Sequence, residues 1–252
     1  MLEIQSLTKS FGGVTSLDDC NFSVQQGKIT GLIGPNGAGK TTLFNVIAGA
    51  IPPSSGQIIF QGNDITGLSA DSLFHKGIVR SFQIPHEFQQ MSVLENLMIV
   101  PSHQSGENLL KSFFRWAKVQ AEDQAIRHQA EAVLAKLKLS HLRDEKASNL
   151  SGGQKKLLEL GRTMMTQAKL VLLDEPAAGV NKTLLKQLAA QITALNQKWG
   201  YSFIIIEHDM DLVAKLCDPV ICLAQGKVLV EGSFQKVSSD ERVREAYLGT
   251  RS

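Results

Sequence analysis

Gly34-Pro35-Asn36-Gly37-Ala38-Gly39-Lys40-Thr41-Thr42 places a lysine and two hydroxyls directly after a glycine-rich turn. The spacing of Gly, four residues, then Gly-Lys-Thr is that of the phosphate-binding P-loop. Glycine lacks a Cβ, so this backbone can turn sharply and aim its N–H groups inward. Lys40 adds a positive charge, and the Thr41 hydroxyl can ligate Mg²⁺. A second group of reactive types is Asp174-Glu175, directly after the apolar run Leu170-Val171-Leu172-Leu173. Two adjacent acids at the end of a buried strand are costly unless a cation or a reaction uses them. A third is Ser151-Gly152-Gly153-Gln154. Ser151 is a good N-cap. Glycines in a first helical turn weaken the helix by about 1 kcal/mol each. Their presence suggests that something approaches the backbone closely. This is a second anion-ready helix start without its own lysine, and standing alone it reads rather as a glycine-rich turn between helices. Gln83 and His208 each end a short apolar run, and each alone reads as a polar strand terminus.

These residues need strands and helices to hold them. Lys28 to Ile33 reads as a buried strand leading into the P-loop, and Thr41 to Ala48 as the helix leaving it. The loop therefore ends at a helix N-terminus, where unpaired N–H groups and the dipole favour an anion. Leu2 to Leu7 alternates as a half-buried strand should. Phe11 follows beside the turn Gly12-Gly13, where its ring either stacks on a base or closes the end of a sheet. Asn21 to Val24, Gln57 to Phe60 and Ile78 to Gln83 read as further strands. Ser202 to Ile206 is a central strand, and Val220–Leu223 with Val228–Val230 a hairpin through Gln225-Gly226.

Composition shifts after Gln83. Ser92 to Glu95 fits a capping box. Ile126, Ala130, Val133, Leu134 and Leu137 recur at helical spacing, so the block is helical with one apolar face. Its basic residues, Lys111, Arg115, Lys118, Arg127, Lys136, Lys138, Arg143 and Lys146, outnumber the carboxylates among them. They form a solvated helix surface or, as the lesser alternative, meet an anionic membrane surface. Phe113, Phe114 and Trp116 are expected in the core rather than in a docking patch. Gln154 to Gln167 and Lys182 to Trp199 read as helices, the second capped by Asn181 and ended by Gly200. The tail after Ser233 reads as short helices.

The 252 residues suffice for one large domain or a core with a subdomain. With 26 basic and 24 acidic residues the net charge is +2, too balanced for nucleic acid as a bulk polyanionic partner. Met1 to Gly13 holds no basic stretch followed by an apolar one, so no secretory signal is expected. No run of about 18 apolar residues occurs, so no membrane helix is expected. Cys20, Cys217 and Cys222 lack metal-type spacing and are expected as buried reduced thiols.

The order P-loop, strand-end Gln83, helical block, Leu150-Ser151-Gly152-Gly153-Gln154, Asp174-Glu175, strand-end His208 strongly resembles the ATP-binding cassette ATPases, over nearly the whole chain. The resemblance implies an α/β fold: a RecA-like P-loop NTPase core with an antiparallel β flank over 1–83 and 165–235. A helical subdomain is then inserted over 84–164, and a tail follows over 236–252. It implies ATP and Mg²⁺ as ligands. Gly34 to Thr42 would hold the phosphates, with Lys40 on the β- and γ-phosphates. Thr41 and Asp174 would hold Mg²⁺, with Gln83 touching the metal or its water. Glu175 would polarise the attacking water, and His208 would sense the γ-phosphate. Phe11 would stack on adenine. Ser151, Gly152, Gly153 and Gln154 would meet the γ-phosphate held by a second cassette, a copy or a paralogue, in a head-to-tail dimer.

Within that family, Ser10-Phe11-Gly12-Gly13, Pro176-Ala177-Ala178-Gly179, Ile206-Glu207-His208-Asp209-Met210 and Glu245-Ala246-Tyr247-Leu248-Gly249 look like the bacterial importers of branched-chain or neutral amino acids. That likeness implies transmembrane permease subunits as partners and, indirectly, a periplasmic or extracellular solute-binding protein. It implies a peripheral place at the cytoplasmic face of the inner membrane, and no nucleic acid. Departures are Val180-Asn181-Lys182, where Leu-Asn-Pro is commoner, and Lys155-Lys156 after the signature glutamine. Rival readings are the cassette of a lipid or lipopolysaccharide exporter, a soluble ABC ATPase, and an inactive ATP-binding scaffold. Intact Lys40, Asp174, Glu175 and His208 argue against the last.

Overall fold

The computed structural model describes residues 1–80, 87–101 and 116–248. Gln83, Lys111, Phe113, Phe114 and Arg115 lie outside these, as does the side chain of Trp116. By internal contacts the chain divides into two compact units. One comprises Met1–Gln83, Ala168–Ala178 and Ala189–Ser252; the other comprises Ile84–Gln167 and Gly179–Leu188.

The strands in chain order are β1 (Leu2–Phe11), β2 (Val14–Val24), β3 (Ile29–Ile33), β4 (Ser55–Phe60), β5 (Asn63–Asp64), β6 (Ile78–Arg80), β7 (Leu170–Asp174), β8 (Ser202–Ile206), β9 (Val220–Ala224) and β10 (Lys227–Gly232). The helices are α1 (Lys40–Ile47), α2 (Ala70–Lys76), α3 (Val93–Met98), α4 (Trp116–Leu137), α5 (Gly152–Met164), α6 (Lys182–Trp199), α7 (Met210–Leu216), α8 (Phe234–Ser239) and α9 (Glu241–Leu248).

All of these strands belong to the first unit. β3, β7, β8 and β9 are buried along their whole length, as strands covered on both faces must be. They form a sheet in the order β10-β9-β3-β8-β7-β6, parallel except for the β9–β10 hairpin. The second sheet, β2-β1-β4-β5, is antiparallel. Leu43, Phe44, Val46 and Ile47 of α1 join residues of both sheets in one apolar cluster, so the P-loop helix is anchored by its buried face. Burying each such large side chain contributes about 1.5–3 kcal/mol.

β2 begins at Val14, seven residues before the expected Asn21. Asp18 and Asp19 are poor strand formers by propensity. The strand extends past them nonetheless: Phe11 pairs with Val14, Ser10 with Thr15, Lys9 with Leu17 and Leu7 with Cys20, and the two Asp residues lie at a register shift between the last two pairs. The residues on either side of the Asp pair are thus held by cross-strand pairing that single-strand propensity does not register.

In the second unit α3 starts with the expected capping box. Ser92 Oγ accepts from Glu95 N at 3.1 Å, and Glu95 Oε2 accepts from Ser92 N at 2.7 Å. Ala130, Val133, Leu134 and Leu137 of α4 are buried as their spacing predicts. On its outer face Lys118 meets Glu122 at 3.5 Å and Arg127 meets Glu131 at 3.8 Å. Arg143 reaches Glu131 at 3.2 Å. These basic side chains therefore share a solvated surface with carboxylates. The three cysteines are buried and free, and burial pushes the Cys20 thiol up to about 11 and the Cys217 thiol up to about 12. Among the described residues no helix is long and apolar enough to cross a membrane.

Candidate functional site

Strand register brings three of the singled-out segments together. Ile206 pairs with Leu32 on one side and Asp174 on the other, so the carboxyl ends of β3, β8 and β7 finish level. The chain leaves these three ends as the P-loop, Glu207-His208 and Glu175 respectively. Open α/β sheets bind ligands at this edge of the strands.

The P-loop turns through Gly34 to Gly39 and starts α1 at Lys40. Gly39 is in the left-handed region at φ 100°, and a Cβ there would lie 2.5 Å from the Ser16 carbonyl oxygen. No other residue fits that conformation and that space together. Lys40 Nζ donates to the carbonyls of Gly34 at 2.7 Å and Pro35 at 2.9 Å, which fixes the ammonium inside the loop. Its burial lowers the Lys40 pKa, and the nearby Glu175 and Asp174 carboxylates act in the opposite direction. The N–H groups of Lys40, Thr41 and Thr42 have no carbonyl one turn back inside the helix, whereas Leu43 N already bonds Gly39 O at 2.9 Å. Asn36, Gly37 and Thr41 are exposed, and Pro35 and Ala38 are buried beneath them. Thr42 Oγ1 accepts from Ser16 Oγ at 2.8 Å and supports the loop from the β flank.

We expect Gly39→Ala to distort this loop. Holding a non-glycine residue left-handed costs about 1–2 kcal/mol, before the contact with Ser16 is relieved. Nucleotide affinity should fall at least about tenfold, read by fluorescence titration, with a lower melting temperature. Parent affinity in this variant would show that the loop tolerates a side chain at Gly39.

Glu175 is also left-handed, at φ 49°, a conformation unusual for a residue with a side chain. Its N–H bonds Ile206 O at 2.9 Å. Its Oε1 lies 3.1 Å from His208 Nε2. Two residues with separate expected roles, on the water and on the γ-phosphate, are thus a contacting pair. Glu207, 3% exposed, supports both neighbours. Its carboxylate accepts from Ala177 N at 2.6 Å and from His208 N at 3.0 Å. Burial pushes the Glu207 pKa up, and the N–H groups of Ala177, Asp209 and His208 oppose that rise. Glu207 carries no role in the sequence-based assignment; the signal for it is an acid between an apolar strand and a candidate histidine. Asp174 is 3% exposed and is paired with Arg80, a residue to which no sequence motif gives a role.

Phe11 is 50% exposed at the end of β1, with Lys9 Nζ 5.0 Å from the ring centre. The ring therefore does not plug the end of the sheet and is open to stack on a planar group. Ser151, Gly152, Gly153 and Gln154 lie in the second unit. Ser151 Oγ accepts from Gln154 N at 3.4 Å, and Gln154 Oε1 accepts from Ser151 N at 2.8 Å, a complete capping box. The close approach expected at the glycines is partly internal: a Cβ on Gly153 would lie 2.3 Å from Leu184 Cδ1. Gly152 has only Gly179 O, at 4.0 Å, and is exposed. Asn181 Oδ1 caps α6 as expected, accepting from Thr183 N and Leu184 N. Gln83 lies outside the described residues.

A lysine-bearing anion cradle, a buried aspartate and a glutamate–histidine pair at one sheet edge fit a magnesium nucleoside triphosphate. A family profile described as "ABC transporter" matches residues 17–178. The chain belongs to the ABC transporter family. A second profile, described as "Branched-chain amino acid ATP-binding cassette transporter", matches residues 227–252. The probable branched-chain amino acid transport ATP-binding protein LivG of Archaeoglobus fulgidus is 43% identical over 99% of this chain and 95% of its own length. The high-affinity branched-chain amino acid transport ATP-binding protein LivG of Escherichia coli K12 is 33% identical over 99% and 98%. Among solved structures, the ADP conformation of MJ1267, an ATP-binding cassette of an ABC transporter, superposes with a TM-score of 0.85. It is 40% identical, covering 99% of this chain and 98% of that one. The ABC cassette fold expected from the sequence, α/β with a P-loop and an antiparallel flank, is therefore the fold found.

Proposed function

We propose that this chain binds and hydrolyses Mg²⁺-ATP to power import of branched-chain or other neutral amino acids through separate membrane subunits. The observation that carries this reading is the row formed by the P-loop, Asp174-Glu175 and His208 at the ends of β3, β7 and β8, in a chain similar end to end to named amino-acid transport cassettes. Phosphoryl transfer asks a protein mainly for positioning and electrostatics. Lys40 and the amides of Gly37 to Thr42 hold the β- and γ-phosphates. Thr41 and Asp174 hold Mg²⁺, which when bound neutralises charge on the phosphate oxygens. Glu175 orients the attacking water and accepts its proton. His208 holds Glu175 through the 3.1 Å contact and touches the γ-phosphate. Phe11 stacks on adenine. Gln83 would touch the metal or its water.

The first unit then acts as the ATP-binding core and the second as the subdomain that carries Ser151, Gly152, Gly153 and Gln154 to a second cassette. Permease subunits dock at the cytoplasmic face of the membrane, and a solute-binding protein acts through them. The test is co-expression with the membrane proteins that co-purify with it, followed by uptake into ATP-loaded vesicles. We expect leucine-like solutes to accumulate only with Mg²⁺-ATP inside, with phosphate release abolished by chelation. ATP-dependent movement of lipid, with no amino-acid uptake, would replace this reading with an exporter. Parent protein that binds ATP without releasing phosphate, alone or with its partners, would leave a scaffold.

A further inference from the structure

β6 ends at Arg80, and its register places Arg80 beside Leu172 of β7, two residues before Asp174 on the same strand. Residues two apart on a strand share a face, so the guanidinium can reach the Asp174 carboxylate. It does: Arg80 Nη2 donates to Asp174 Oδ2 at 3.0 Å. Through Nη1 the same guanidinium donates to Asn45 Oδ1 on α1, and its Cζ lies 6.0 Å from the Phe44 ring centre. Asn45 lies on the P-loop helix that Lys40 begins. One planar group thus bridges the helix that carries Lys40 and the strand that carries Asp174. The arginine side chain is 17% exposed and the aspartate 3%, so neither is a solvated surface partner. Among the described residues, the bond engages Oδ2 and no hydrogen bond takes Oδ1.

We propose that Arg80 is a positioning residue for the metal, a role that rests on the Mg²⁺-ATP reading of this site. It fixes the rotation of the Asp174 carboxylate so that Oδ1 faces a cation, and it sets the distance between that carboxylate and the P-loop helix through Asn45. Side chains that hold a metal ligand in this way typically change metal affinity or activity by about 10- to 100-fold when removed. A lysine keeps the charge opposite the buried carboxylate but lacks the planar fork that reaches two acceptors.

The test uses the full chain with Mn²⁺ as a paramagnetic stand-in for Mg²⁺ and a non-hydrolysable ATP analogue. Mn²⁺ binding is read by electron paramagnetic resonance, and analogue binding in EDTA by fluorescence. For Arg80→Lys we expect Mn²⁺ affinity to fall about tenfold or more. Affinity for the analogue in EDTA should stay within about twofold of the parent, since Lys40 and the loop amides are untouched. Asn45→Ala, which keeps both charges and cuts only the second arm of the bridge, should weaken Mn²⁺ binding in the same direction by a smaller factor. Arg80→Ala leaves a buried carboxylate without its partner and is expected to lose stability as well. Parent Mn²⁺ affinity in both Arg80→Lys and Asn45→Ala would overturn the proposal and leave Arg80 a structural residue, whatever happens to melting temperature. Failure of the parent chain to bind the analogue at all would instead overturn the nucleotide reading on which it rests.

Discussion

Lys40→Ala is expected to abolish ATP turnover and to weaken ATP binding. The Lys40 ammonium is held inside the P-loop, where two loop carbonyls fix it. Hydrogen bonds to charged groups contribute about 1.5–3 kcal/mol, so loss of those to phosphate should weaken ATP binding by about 10- to 100-fold. The effect on turnover should be larger, about a thousandfold or more, because positive charge counts most where charge develops on the transferred phosphoryl group. The variant should still fold. Burial lowers the Lys40 pKa below its ordinary 10.5, so the charged ammonium is disfavoured in the folded chain. Between the lowered value and 10.5 the unfolded chain holds more protons, so stability rises with pH across that window. Below the window the desolvation cost is fully present, and Lys40→Ala removes it while leaving the Gly34 and Pro35 carbonyls without their donor. Melting curves from neutral pH to about pH 10 should therefore rise more steeply in the parent than in Lys40→Ala. A Lys40→Ala protein that hydrolyses ATP at the parent rate would refute the P-loop assignment.

The second large effect concerns assembly. Glu175→Gln keeps the size of the side chain and a polar atom for His208, whose Nε2 lies 3.1 Å from Glu175 Oε1, and removes the carboxylate that accepts a proton. General-base catalysis contributes about 10²–10⁴-fold, so turnover should fall by that order while ATP still binds and persists. In the proposed dimer ATP bridges the P-loop of one chain and the Ser151 helix start of the other, so unhydrolysed ATP acts as interfacial glue. We expect Glu175→Gln to shift towards dimer with ATP and not with ADP, read by sedimentation or light scattering at matched concentration. Adding Ser151→Arg should reverse the shift. It removes the Ser151 cap of α5 and puts a long side chain where Ser151 and Gly152 are exposed. If the partner cassette is a paralogue, the same shift appears only in its presence. A Glu175→Gln chain that stays monomeric with ATP beside that partner would sink the two-chain site.

Much of the fold and the site is encoded locally. The glycines of the P-loop, the lysine after them and the apolar runs before Asp174 and His208 carry their meaning in types and spacing. So do the caps: Ser92, Ser151 and Asn181 each bind the backbone N–H groups that their positions predict. The length of β2 is not encoded in this way, because the residues flanking Asp18 and Asp19 are held by a partner strand and carry the strand past two poor strand formers. The two readings of Phe11 were also undecidable in sequence, since only the packed sheet decides whether a ring is covered; at 50% exposure it is not.

Sequence alone determined the class of chemistry, because phosphate binding needs particular residue types at fixed short separations along the chain. Only the tertiary structure decided how the distant pieces meet. Residues 174, 207 and 208 are aligned with the P-loop by the ladder through Ile206, which pairs with both Leu32 and Asp174. That pairing places Glu175 against His208 and gives Glu207 its backbone donors. Arg80 and Asp174 are 94 residues apart in sequence. Their contact depends on the register of β6 with β7, a pairing between distant strands that neither strand's own residues contain.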